Sequence, residues 1–75
     1  MGFDSGDYVK FEIKDDKTGA AEWMWLRVDS VDESRRVVHG WLDSQPVVFA
    51  TTVKLGQRLA ISYDNIREHK KSNEF

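Results

Sequence analysis

The chain has 75 residues, no cysteine, 40% hydrophobic residues and a net charge of −2. This composition excludes a disulfide-stapled scaffold, thiol chemistry and a disordered chain, and no apolar run approaches the roughly 20 residues of a membrane span. Thirteen acidic residues against eleven basic ones also weigh against a nucleic-acid binder, whose affinity rests largely on phosphate neutralisation.

In chain order, residues 1–6 carry two glycines and no pattern, and read as a loose start with nothing of a signal peptide in it. With no cysteine and no leader, a cytoplasmic protein is expected. "YVKFEI", residues 8–13, alternates cleanly. Val9, Phe11 and Ile13 share one face and Tyr8, Lys10 and Glu12 the other, the signature of a half-buried strand. "KDDKTG", residues 14–19, is a turn, since Asp side chains mimic turn hydrogen bonds and Gly19 accepts positive φ.

Residues 20–31 form the longest strand candidate, closed by the charged turn "DESR" at residues 32–35. "RVVHGWL", residues 36–42, is a third strand, ended by "DSQP", in which Pro46 cannot donate to a ladder. "VVFATTV", residues 47–53, reads as a fourth strand by composition, and Gly56 turns the chain. "RLAISY", residues 58–63, is a fifth, with Leu59, Ile61 and Tyr63 on one face. "YDNI" makes a tight turn that returns Ile66 to the core. The tail, residues 67–75, has no apolar stripe and is expected to fray or to form a short surface helix.

Short strands with a turn signal about every ten residues point to an all-β protein, one small domain over residues 1–75. A five-stranded antiparallel SH3-like barrel is expected first, because closure removes exposed edges, and a strongly curled open sheet second. A chain this short buries only about 60–65% of its unfolded surface, so its stability is marginal.

"EWMWLRV", then "HGWLDSQP", then "VKLGQRLAISYDNI" resembles the bacterial YegJ-like proteins, a domain-of-unknown-function family. The matching positions are Glu22, Met24, Trp25, Val28, Gly40, Leu42, Pro46, Gly56, Leu59 and Ile66. With the first strand they span residues 8–66. Members usually carry a helical segment ahead of the first strand, which is missing here. Arg67, Glu68 and His69 stand where the family pattern has an acidic residue and Trp. The resemblance implies the fold of the core and no mechanism.

The chemistry-bearing residues do not assemble into a reaction. Two histidines, His39 in a strand and His69 in the tail, are too few and too far apart for a metal site. The serines lack a nucleophile-elbow context, the glycines do not form a phosphate cradle, and Asp15-Asp16 and Asp32-Glu33 lie in turns open to water. No enzyme, no cofactor and no metal are expected.

The indoles raise the one sharp question. On a strand Trp23 and Trp25 point one way and Met24, Leu26 and Val28 the other, so both faces are apolar. A one-residue slip in the hairpin with residues 36–42 flips a whole face. The favoured register pairs Leu26 with Leu42, Val28 with Gly40 and Ser30 with Val38. It sets Arg27 against Trp41, and Asp29 beside His39. The other register pairs Leu26 with Trp41 and Val28 with His39. The favoured one gathers Trp23, Trp25, Arg27, His39 and Trp41 on a single surface. The indoles could instead lie beneath the N-terminal arm or the tail, each burying about 150 Å² or more; a packing role fits Trp25, which belongs to the family pattern, better than Trp23, where the family has a polar residue. The expected function is a non-enzymatic interaction module of the adaptor, inhibitor or immunity type. Its aromatic face would meet a protein partner or a second copy, with no membrane involved. The alternative is a single-stranded nucleic-acid-binding barrel in which the rings stack on bases and Arg27, Arg36 and the tail lysines meet phosphates.

Overall fold

A computed structural model describes residues 2–71. It is all-β, with five antiparallel strands in one sheet: β1 (Tyr8–Lys14), β2 (Ala21–Asp32), β3 (Val37–Leu42), β4 (Arg58–Ser62) and β5 (Ile66–Lys70). The strand order is β4-β3-β2-β1-β5, with the long β2 in the middle. A single 3₁₀ turn, Tyr63–Asn65, links β4 to β5. Among the described residues no ladder closes the sheet between those two strands.

Alternation decides which side is buried. Val9 and Phe11 of β1, Met24, Leu26 and Val28 of β2, Val38 and Leu42 of β3 and Ile61 of β4 form the core on the inner face. Phe3 and Val53, from the flanking segments, join them. The first six residues are therefore not a loose start. Phe3 is buried, and the Gly6 amide donates to the Val28 carbonyl (2.7 Å), because an open sheet this small needs its inner face covered.

The turns follow their sequence signals. Asp15 Oδ1 accepts from the Lys17 amide (2.8 Å), and Gly19 adopts φ 75°. In the β2–β3 turn, Asp32 Oδ1 accepts from Ser34 Oγ (2.8 Å) and the Arg35 amide (3.1 Å).

Three expectations need correction. Residues 47–53 form turns rather than a strand. The Glu22 carboxylate accepts from the amides of Val47 (2.8 Å) and Phe49 (3.1 Å), and the Phe49 carbonyl accepts from Thr52 and Val53. That local pairing leaves no backbone for a ladder, whatever the β propensity of the side chains. The strand expected at residues 58–63 is thus the fourth, ending at Ser62. The fifth comes from the segment expected to fray or to form a helix: Ile66–Lys70 pairs with β1, Tyr8 against Lys70 and Lys10 against Glu68. Residues 72–75 of that expected tail lie outside the described residues.

Two bulges shape the sheet. One inserts Arg67 into β5 opposite the Lys10–Phe11 step. The other inserts Asp29 into β2 between the Val28–Gly40 and Ser30–His39 pairs. Bulges bend and twist a strand, which curves a sheet around its own core.

Candidate interaction face

The β2–β3 register pairs Leu26 with Leu42, Arg27 with Trp41 and Val28 with Gly40. These are the favoured pairs. Beyond Val28 the bulge shifts the ladder by one residue. His39 lies opposite Ser30 rather than Asp29, and Val38 opposite Val31 rather than Ser30. The shift has a packing reason: it turns Val31 inward, where it packs against the core in place of a serine.

All five residues singled out in the sequence fall on the outer face. Trp23 is 48% exposed and Trp41 44%, while Trp25 and His39 are half-buried and Arg27 is exposed. Register supplies their neighbours: Trp23 faces Glu12, Trp25 faces Lys10, and Arg27 lies between Tyr8 and Trp41. One row crosses the whole sheet, running Arg58, Trp41, Arg27, Tyr8, Lys70.

Cations are interleaved with the rings. The Arg58 guanidinium lies 5.0 Å from the Trp41 ring and its Nη1 is 2.6 Å from Asp29 Oδ2. Trp25 lies near two ammonium groups, Lys70 at 5.5 Å and Lys10 at 5.9 Å, and Lys10 also reaches Trp23 at 5.8 Å. Lys10 in turn faces Glu68 at 3.9 Å. The cation over Trp41 is thus Arg58 from β4, not its cross-strand neighbour Arg27. Arg27 makes no ion pair or ring contact among the described residues. Exposed cation–π contacts contribute about 0.5–1 kcal/mol each. They shield the ring faces of Trp25 and Trp41, and they leave much of Trp23 and Trp41 in water.

Lys10, Arg58 and Tyr8 belong to this face and were not among the sequence candidates, whereas Lys70 entered only as a tail lysine of the nucleic-acid alternative. Lys10 and Tyr8 were legible as outward residues of β1, but only the β1–β2 register brings them to the indoles. The strand position of Lys70 was hidden because its segment carries no strand pattern.

His69 is not a tail residue open to water. It is half-buried in β5, with Nε2 2.8 Å from Oδ2 of Asp7, a carboxylate only 2% exposed. Burial pushes the Asp7 carboxyl up. Hydrogen bonds from His69, the Asp4 amide and Lys71, with the Lys71 charge, outweigh it and hold the group below its ordinary value. The cluster fastens the N-terminal arm to β5. Among the described residues no three His, Asp or Glu side chains are placed to hold a metal ion, and no helix is long and apolar enough to cross a membrane.

Comparison of the chain with protein-family models, curated proteins and solved structures returns no significant match.

Proposed function

We propose that this chain is a non-enzymatic interaction module whose outer face, with Trp23, Trp25, Arg27, His39 and Trp41, docks a protein partner or a second copy of itself. The observation that carries the reading is two indoles about half exposed on one face of a single sheet. Partly wet indoles cost free energy in a small domain and are recovered by contact. Trp and Arg are also the residue types that anchor interfaces. Arg27, central in the sheet and without an ion pair among the described residues, supplies a donor fork for a partner's carboxylate or carbonyl groups.

A single-stranded nucleic acid is the second reading, favoured by the alternation of rings and cations across the face. Glu12, Asp29 and Glu68 share that surface, and they repel a phosphate chain. A protein partner is therefore preferred. The SH3-like barrel reading belongs to the same proposal, supported by the strand order and the 3₁₀ turn ahead of the last strand. So do the YegJ-like resemblance and a cytoplasmic setting.

Light scattering across a concentration series, with indole fluorescence, tests the proposal. Association should shift the Trp emission to shorter wavelength and be lost in Trp23→Asp and Trp41→Asp. If both variants fold and associate as the parent does, the outer face is not the interface. Titration with single-stranded DNA and RNA at low salt decides the second reading, because such binding must weaken steeply as salt rises.

A further inference from the structure

A cleft of about 450 Å³ opens beside β5, within the usual range for binding sites. Phe3, Tyr63 and Arg36 line it, together with four consecutive strand residues, 66–69. Successive side chains of a strand alternate between faces. Glu68 reaches Lys10 on the outer face while His69 reaches Asp7 inside. A cleft touching both straddles the strand's edge rather than lying on a face. That edge is open, because among the described residues β5 has a ladder with β1 alone. An open edge is a template for another strand.

The lining specifies what kind of strand. Phe3 and Tyr63 form an edge-to-face pair, ring centroids 4.9 Å apart, and Ile66 adds an aliphatic surface. Two guanidiniums gather at the 3₁₀ turn. Arg36 lies 5.1 Å from the Tyr63 ring with Nη2 3.6 Å from Asp64 Oδ1, and Arg67 Nη1 donates to the Asp64 carbonyl (2.7 Å). The one carboxylate in the lining, Glu68, faces Lys10. Arg36 also holds φ 57°, the left-handed region where glycine sits at less cost. Glycine would serve that backbone at less cost, so it is the Tyr63 and Asp64 contacts that favour an arginine at the cleft.

We propose that the β5 edge and its cleft bind an extended acidic peptide segment by strand addition. The peptide's main chain pairs with the groups of residues 67–69 that point away from β1, since the Ile66 amide already donates to the Tyr63 carbonyl. An apolar side chain packs on Phe3, Tyr63 and Ile66, and a carboxylate meets Arg36 and Arg67. This site is separate from the outer indole face and does not depend on it.

A short capped peptide alternating valine and glutamate is the probe, with amide exchange and chemical shifts of residues 67–69 as the readout. The expected result is protection of those amides and an affinity lowered at least about threefold by Arg67→Gln and by Arg36→Gly. Arg36→Gly relieves the left-handed strain, so it keeps the fold even if the other variant does not. Blocking the pairing amides of the peptide by N-methylation should abolish binding, and a lysine version should not bind. Trp23→Asp should leave this binding unchanged, which separates it from the outer-face reading. The proposal is overturned if residues 67–69 gain no protection, or if the lysine or N-methylated peptide binds equally well. It is overturned too if Arg36→Gly, folded as the parent, binds as the parent does, or if single-stranded DNA protects these amides and the peptide does not.

Discussion

At Gly40 a β-carbon would collide with the carbonyl oxygen of Arg27 across the β2–β3 ladder. Neither strand can retreat, since Leu26 and Leu42 are fully packed beside the contact. Gly40→Ala should therefore destabilise by about 3 kcal/mol, the upper end of ordinary overpacking, as measured by urea unfolding. Asp7 makes a different kind of prediction. Its folded pKa lies below the 3.8 of the free side chain, so its stabilising contribution is present above about pH 4. It is lost as the pH falls from there through the folded value. Asp7→Asn should lower neutral-pH stability by roughly 1–3 kcal/mol and flatten the acid limb of the stability curve. Nothing local announced this role: Asp7 sits in a glycine-containing stretch, and its partners His69 and Lys71 lie more than sixty residues away. Gly40 fits where no side chain can, Met24, Val28 and Leu42 fill the core, and Glu22 holds a loop. Trp23, Arg27 and Trp41 lie on the exposed face.

Among the elements, the loop between β3 and β4 depends on one carboxylate. Glu22 accepts from two loop amides that have no ladder to join. Glu22→Ala should cost about 1–3 kcal/mol and release the exchange protection of the Val47 and Phe49 amides while that of β1 and β2 persists. If those amides stay protected, the turn stands without its acceptor. The sequence at residues 47–53 has strand composition, and composition alone cannot reveal that a side chain 25 positions earlier has claimed the backbone. β5 fails in the opposite sense. "IREHK" has no apolar alternation, yet it pairs with β1, because Ile66 packs against the core and the rest serves the edge. β1 and β2 were plain from their alternation, as was the turn between them.

Taken as a whole, the molecule is an open sheet with indoles on its outer face and a net charge of −2. The charges of its outer face are largely matched there, Lys10 by Glu68 and Arg58 by Asp29. Association through the indoles should therefore change by less than about tenfold across a tenfold rise in salt, because burial of ring surface is unscreened. A nucleic-acid complex would lose far more over the same range. Sedimentation at low and high salt makes the comparison. Trp23→Asp should alter the stability of the lone chain by no more than about 1 kcal/mol, since so much of the ring is already in water.

The strand character of the chain, and the opposition of Trp23 and Trp25 to Met24, Leu26 and Val28, could be read from residue order alone. Both follow from the two-residue period of an extended backbone, a property of neighbours in sequence. The bulge at Asp29, the cations that meet each indole, the edge at β5 and the clamp on Asp7 were decided only by the tertiary structure. Each depends on register and closure between segments distant along the chain, where packing the core chooses among pairings that local preference leaves equal.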